Sequence, residues 1–186
     1  MVQQRMRFLP GLVAVALLTG CGPEAVDGAP APAPATTESR PVDSAAMAPT
    51  LREGENVTFR SVVPGTYRAH PGDIVLFAPP PAWRVGDGHR MMLRVVASGG
   101  QTVVCCDPAD HMLVDGTPLD EPYVHAKPGE ADGGQRRFGP VMIPENSLWL
   151  LGDNRAEAAD SRVRGAGGPR GAVPAGNVIG VLDPPR

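Results

Sequence analysis

The chain has 186 residues, of which 42% are hydrophobic and 4% aromatic, and its formal net charge is −3 at pH 7. This length and apolar content suit one domain with accessory segments, whose core must be built mainly from aliphatic side chains. The charge gives no electrostatic basis for nucleic-acid binding, and 23 glycines and 22 prolines predict many turns and at least one segment without regular structure.

Residues 1–20 have the pattern of an export signal. Two arginines in the first seven residues precede an apolar run over residues 9–18. The run is shorter than the about 20 residues that a membrane-spanning helix needs, but it suits the hydrophobic segment of a signal peptide. The stretch LTGC, which ends at Cys21, resembles the bacterial lipobox and predicts cleavage before Cys21 and lipidation of its thiol. The alternative is an ordinary cleavage site that happens to precede a cysteine.

Residues 21–45 are rich in proline and alanine and contain almost no large apolar side chains. Such a segment buries too little surface to offset the entropy of ordering, so we predict a disordered tether. About 24 residues at about 3.1 Å each could extend roughly 70 Å from a membrane. The folded domain is then expected to cover residues 46–186.

The remaining part of the chain consists of short runs of β-branched residues, nearly all bounded by Gly, Pro, Asp or Asn. Short strands at this spacing predict an all-β fold, an antiparallel sandwich or partly open barrel. No segment here sustains a helical period beyond a turn or two. The predicted strands cover residues 56–63, 73–77, 91–96, 102–106, 112–114, 141–143, 148–151 and 178–182.

Several motifs follow one another along this domain. They begin with MAPT at residues 47–50, continue with HPGD and RMMLRVV, and are most specific in GDNR at 152–155 followed by DSR at 160–162. Their order resembles the catalytic domain of type I signal peptidase (peptidase S26), a Ser/Lys protease that removes signal peptides from exported proteins. The resemblance covers residues 44–182 and implies that family's β fold. The matching motif positions are Met47, Pro49, Gly72, Asp73, Arg94, Gly152, Asp153, Asn154, Arg155, Asp160, Ser161 and Arg162.

The resemblance implies that three catalytic positions carry hydrocarbon side chains in this chain. In the family a serine nucleophile directly precedes the Met-x-Pro motif, and a lysine base directly precedes the Arg-Val pair; here these positions are Ala46 and Leu93. A second serine, two residues before Asp160, orients the lysine in the family, and Ala158 replaces it. Ser44 matches the serine whose hydroxyl helps to form the oxyanion hole. Because a serine hydroxyl needs a base to become a nucleophile, the loss of both predicts a pseudoenzyme.

Another base is not apparent in the sequence. Lys127 is the only lysine, and an ammonium group in its polar loop would keep a pKa near the reference value of about 10.4. His89 lies four residues before Leu93, about 13 Å along an extended strand. The other histidines fall in predicted turns or loops: His70, His111 and His125.

Cys105 and Cys106 are adjacent on a predicted strand, so their side chains should point to opposite faces. This favours one buried and one partly exposed thiol, the alternative being a vicinal disulfide. The absence of a CxxC pair or a His/Cys cluster predicts no metal site, and we predict no cofactor. The run of three prolines before Trp83 predicts a loop or, alternatively, an apolar edge in contact with lipid.

These features predict a protein anchored through lipid on Cys21 at the extracytoplasmic face of the bacterial cell membrane. The leading hypothesis is that it binds signal peptides, or a genuine signal peptidase, without cleavage. The expected binding groove lies between the strand that follows Pro49 and the strand of Leu93. The alternatives are an active peptidase with an unorthodox catalytic group and a structural lipoprotein.

Overall fold

The structure, a computed structural model, describes residues 36–124 and 136–183. They belong to a single unit of the chain, Pro34–Arg186. The predicted signal peptide, most of the predicted tether, Cys21, Lys127 and His125 lie outside the described residues. Within the described residues, no helix has both the length and the apolar character needed to cross a membrane.

The described residues form mainly strands, which confirms the predicted all-β class. One short helix, α1 (Ser161–Arg164), and 3-10 turns at Ala45–Met47, Pro81–Trp83, Pro169–Gly171 and Ala175–Asn177 complete the regular structure. The strands are β1 (Thr37–Pro41), β2 (Asn56–Ser61), β3 (Ile74–Phe77), β4 (Met91–Ser98), β5 (Thr102–Cys105), β6 (Met112–Val114), β7 (Thr117–Pro118), β8 (Phe138–Met142), β9 (Ser147–Leu151), β10 (Val173–Pro174) and β11 (Val178–Leu182).

Two antiparallel sheets contain these strands. The larger sheet has the order β1-β2-β11-β3-β4-β9-β10, and the smaller has the order β7-β6-β5-β8. β3 lies in the interior of the larger sheet, and all four of its residues are buried, as expected for a continuous run of apolar residues. The buried apolar side chains form two clusters. Phe59, Phe77, Leu93 and Leu150 of the larger sheet and Trp83 belong to one, and Val103, Met112 and Val141 of the smaller sheet pack with Trp149 of β9 in the other.

The start of the folded domain differs from the prediction. Thr37–Pro41, which the sequence assigns to the tether, forms strand β1 and pairs with β2, with Thr37 opposite Arg60. Val42, the next residue, is buried. The pairing uses backbone hydrogen bonds and needs few apolar side chains, so composition alone did not indicate it.

One further expectation is corrected, and one open alternative, the apolar edge at Trp83, is excluded. Cys105 and Cys106 form a vicinal disulfide, the arrangement that the alternation of side chains disfavours. β5 ends at Cys105, so that alternation does not extend to Cys106. Trp83 does not form an exposed apolar edge, because it is 2% exposed and packs edge-on against Phe77 with ring centroids 5.7 Å apart.

Candidate functional site

The candidate site is built around the 3-10 turn Ala45–Met47. Met47, the last residue of the turn, is buried. Asn154, in the loop after β9, makes two hydrogen bonds to the turn. The Asn154 backbone N–H donates to the Ala46 carbonyl oxygen at 3.0 Å. Its side-chain amide donates to the Ala45 carbonyl oxygen at 3.1 Å. The GDNR motif therefore fixes the position of Ala46.

Gly152 brings Ala46 and Ala158 together. A methyl group on Gly152 would overlap the Ala158 methyl group and lie 2.5 Å from the Ala46 carbonyl oxygen. Real Cβ atoms do not approach other atoms so closely, so a residue without a side chain is required here. Two of the three predicted catalytic positions are thus direct neighbours of one glycine.

Leu93 lies on β4 beside the same glycine. β4 and β9 are antiparallel, and their pairing begins with Arg94 opposite Leu151, the residues directly after Leu93 and directly before Gly152. Leu93 is fully buried, and β4 contacts the Ala45–Met47 turn. Ala46 and Ala158 therefore flank Gly152 from separate segments of the chain, and Leu93 lies on the strand that pairs with β9 directly before this glycine.

A buried ion pair supports this arrangement from α1. Asp160 caps the helix by accepting from the Arg162 backbone N–H at 3.0 Å, and its carboxylate pairs with Arg162 Nη2 at 2.8 Å. The same carboxylate accepts from the Gly152 backbone N–H at 3.2 Å. Ser161 Oγ accepts from the Leu150 backbone N–H at 3.0 Å. These contacts join the end of β9 to α1 and so keep Gly152 and the intervening loop in place.

Asp153 joins β4 to the residues that follow the 3-10 turn. It is fully buried and accepts from Arg94 Nε at 2.8 Å and Nη2 at 2.6 Å. Thr50 Oγ1 donates to the same carboxylate at 2.5 Å, and Arg94 Nη1 donates to the Gly72 carbonyl oxygen at 2.8 Å. The Arg94 guanidinium group also lies 4.0 Å from the centre of the Tyr123 ring. The sequence did not identify Thr50 or Tyr123 as members of this network, although Thr50 ends the MAPT motif.

Arg155, in the GDNR loop, is a further buried cation. Its Nε donates to the Gly152 carbonyl oxygen at 2.9 Å, and its Nη atoms donate to Glu121 at 3.0 and 2.5 Å. Burial lowers the pKa of Arg155, but the hydrogen bonds and charge of Glu121 outweigh it, and the net pKa is raised. Burial, followed by the charge of Glu121, raises the pKa of Tyr123 above its ordinary value. Glu121 is thus a missed member of the site, and nothing in its local sequence marks it.

An open groove of about 150 Å³ borders the 3-10 turn. One wall is the segment 42–44, where Ser44 is extended with φ −155° and ψ 160°. Met91 and Met92 of β4 also line the groove, with Val85, His89, Arg90 and Arg164. Residues 91–93 pair with β3 on one side, whereas pairing with β9 begins only at Arg94. Among the described strands, the second edge of this half of β4 therefore has no partner.

The walls of the groove correct the prediction. The strand after Pro49 is β2, and it lies between β1 and β11 rather than along the groove. The segment before Pro49 forms the wall instead, because it continues from β1 into the 3-10 turn. His89 and Ser44 line the groove, whereas His70 lines a different pocket and His111 contacts Asp107.

Comparison with known proteins assigns this architecture to a family. A family model described as signal peptidase, peptidase S26, matches residues 32–185. The chain is 33% identical over 192 residues to a probable signal peptidase I of Mycobacterium leprae, with 75% of this chain and 64% of that protein covered. It is 34% identical over 146 residues to signal peptidase I of Mycobacterium tuberculosis, with 59% and 49% covered.

Two further matches have the same character. The chain is 33% identical over 149 residues to probable signal peptidase I-1 of Synechocystis sp., with 77% of this chain and 67% of that protein covered. A solved signal peptidase I from Enterococcus faecalis is 26% identical, with 63% of this chain and 98% of that chain covered and a TM-score of 0.49. The chain thus spans about half to two thirds of the length of the curated relatives named here.

Proposed function

Because the chain belongs to the signal peptidase family, peptidase S26, we propose that it is a catalytically silent member that binds extended exported peptides without cleaving them. The observation that carries this proposal is the chemistry around Gly152. Ala46, Leu93 and Ala158 present no hydroxyl and no amine, so they supply neither a nucleophile nor a base.

Replacement of the whole catalytic unit is energetically consistent with this proposal. Leu93 is fully buried, and a lysine at this position would need a partner, because a buried ionised amine without one is very costly. Hydrocarbon side chains at all three positions remove the polar groups together and leave none of them without a hydrogen-bond partner. Loss of such a strained polar site commonly stabilises a fold.

The groove supports peptide binding. An extended peptide between residues 42–44 and residues 91–93 would lie beside the free edge of β4 and could add to it as a strand. Backbone hydrogen bonds would then supply affinity, while the small volume of the groove favours small side chains. The partner in this proposal is a signal peptide or an extended segment of a genuine signal peptidase.

The same proposal includes a lipid anchor at the extracytoplasmic face of the bacterial membrane. It is supported by the apolar run over residues 9–18 and by LTGC at Cys21. We expect Cys21→Ser to shift the protein from the membrane fraction to the soluble fraction of cells that express the full chain. Mass spectrometry of the mature N-terminus provides the direct measurement, and an unlipidated native N-terminus would contradict the anchor.

Peptide binding is tested by fluorescence anisotropy with a labelled signal-peptide mimic whose central residues are small. We expect a dissociation constant in the micromolar range or weaker and no cleavage product by mass spectrometry. Ser44→Trp should block the groove and abolish binding. Ser61→Trp, at another exposed serine that does not line the groove, should leave binding intact. Cleavage by the unmodified protein with ordinary signal-peptidase specificity would overturn the proposal.

The inactive centre has its own test. The triple variant Ala46→Ser, Leu93→Lys and Ala158→Ser should gain preprotein cleavage, because it restores the nucleophile, the base and the group that orients the base. The variant Ala46→Ser with Ala158→Ser, which lacks the amine, should stay inactive. If both variants cleave the preprotein equally well, position 93 is not where the base belongs.

A second candidate function is hydrolysis by Ser44. Ser44 and His89 line the same groove, and Asp43 lines it beside them. If this group is catalytic, slow peptide cleavage by the unmodified protein should disappear in both Ser44→Ala and His89→Gln. A structural lipoprotein, by contrast, would show neither binding nor cleavage.

A further inference from the structure

A pocket rich in arginine adjoins the groove. It is an open cavity of about 440 Å³ beside the Pro81–Trp83 turn and the end of α1. The arginines in its wall are Arg84, Arg164 and Arg170, and the other described residues that line it are apolar or small: Ala82, Trp83, Val163, Gly165 and Ala166. No acidic residue is among them.

The positive charges of this basic pocket are not neutralised within the described part of the protein. Arg84 and Arg170 form no ion pair there, and Arg164 Nη1 donates only to the neutral carbonyl oxygen of Trp83, at 3.3 Å. The buried arginines of the GDNR region differ, because Arg155 and Arg162 each have a carboxylate partner. In a chain of net charge −3, three unpaired guanidinium groups at one cavity attract an anion.

Arg164 connects this pocket to the groove. It lines both cavities, and its side chain is half-buried between them. Arg90 adds a further guanidinium group to the groove and is 3.5 Å from Glu38. A peptide that leaves the groove past Arg164 therefore enters a region lined by arginine.

We infer that the basic pocket binds a carboxylate side chain of the peptide held in the groove, so that the protein prefers peptides with Asp or Glu next to the small-residue segment. This inference rests on the proposed function. The planar guanidinium group pairs with carboxylates in a two-pronged geometry, which makes arginine well suited to such recognition. Continuity with the groove through Arg164 favours a peptide group over a lipid headgroup.

The test uses three peptides with the same small-residue segment. One carries Asp-Asp before the segment, one carries Asp-Asp after it, and one carries Asn-Asn in both places. At low salt, we expect one of the acidic peptides to bind roughly 3- to 10-fold more tightly than the Asn peptide, since exposed ion pairs contribute a few-fold each. The preference should shrink at high salt, which screens charges on the surface.

Substitutions then assign the preference to the pocket. In Arg84→Gln with Arg170→Gln, the ratio between the acidic and Asn peptide affinities should fall close to one. The matched control is Arg60→Gln with Arg68→Gln, which removes two exposed arginines from a cavity that shares no lining residue with the groove. This control should keep the full ratio.

Each outcome decides between the two proposals. If the Asn peptide and the acidic peptides all fail to bind, the proposed function fails, and this inference fails with it. If the Asn peptide binds and the acidic peptides bind no better, only this inference is overturned. A preference that survives Arg84→Gln with Arg170→Gln also overturns it. So does a result in which these substitutions weaken binding to vesicles of anionic phospholipid but leave the peptide ratio unchanged.

Discussion

Gly152 shows how the absence of one side chain allows several segments to meet. The Ala46 carbonyl oxygen and the Ala158 methyl group both occupy the space where a Cβ would be. The Asp160 carboxylate holds the Gly152 backbone N–H, and Arg155 Nε holds its carbonyl oxygen. These contacts fix the Gly152 backbone, so it cannot shift to make room for a larger side chain at this position.

Gly152→Ala should lower the free energy of unfolding by roughly 1–3 kcal/mol, the usual cost of overpacking. Urea denaturation measures the effect. Gly139→Ala is the matched control, because nothing lies within 4 Å of a Cβ at Gly139 and neither glycine has a positive φ. Equal effects of the two substitutions would show that the contacts around Gly152 relax freely.

Leu93 permits a second test at a single residue. Leu93→Lys without the serines buries an amine in a hydrocarbon setting, which lowers its pKa in the folded state below that in the unfolded chain. The unfolded state then binds more protons between these two pKa values, so the stability of this variant should rise as pH increases toward about 10. Near neutral pH we expect a loss of roughly 3–5 kcal/mol.

The control for this prediction is Val63→Lys, at a position that is 68% exposed. It should change the free energy of unfolding little and add no comparable pH dependence. Urea denaturation of both variants across the alkaline range provides the comparison. A variant at Leu93 whose stability does not depend on pH would show that the amine reaches water.

At the scale of elements, β4 connects the core to the groove. Its first half pairs with β3 and lines the groove, and its second half pairs with β9. Arg94 lies where pairing with β9 begins and binds Asp153 with two hydrogen bonds. The buried pair therefore fixes the point at which the free edge of β4 ends.

Arg94→Gln should destabilise the fold by roughly 3–5 kcal/mol, because it leaves the fully buried Asp153 carboxylate without its cation. Arg40→Gln breaks an ion pair with Glu38 whose side chains are 38% and 32% exposed. We expect this control to cost no more than about 1 kcal/mol. Urea unfolding of the two variants distinguishes them, and similar losses would contradict a special role for the buried pair.

At the scale of the whole molecule, the two tyrosines couple the fold to alkaline pH. Tyr67 is buried and donates to Asp73 Oδ2 at 2.8 Å, and Tyr123 donates to Glu121 Oε1 at 3.0 Å. Burial, followed by the hydrogen bond to Asp73, raises the pKa of Tyr67 above its ordinary value of 10.0. For Tyr123 the causes are burial and then the charge of Glu121.

The free energy of unfolding should therefore fall as pH rises above about 10. Phenols in the unfolded chain lose their protons there while the folded ones keep theirs, so this contribution is fully present below pH 10 and is lost above it. Tyr67→Phe with Tyr123→Phe should flatten this dependence, although its stability at neutral pH will be lower. Urea denaturation at a series of pH values is the measurement, and parallel pH curves for the two proteins would refute the assignment.

The β class and the family follow from the amino-acid sequence, because turn residues, β-branched runs and motif order are local properties of the chain. It also predicts that Ala46, Leu93 and Ala158 stand at the catalytic positions of the family, because these positions follow from their neighbours in the motifs.

Which segments of the chain become neighbours depends on the tertiary fold. β1 forms because it pairs with the edge of β2, the next strand in the chain, and the segment before Pro49 forms the groove wall because it follows directly from that pairing. The basic pocket brings Arg84 together with Arg164 and Arg170 from a distant part of the chain, and the hydrogen bond from Arg164 to the Trp83 carbonyl oxygen spans 81 residues. Such contacts depend on the order of strands within the sheet, and no local pattern of residues encodes that order.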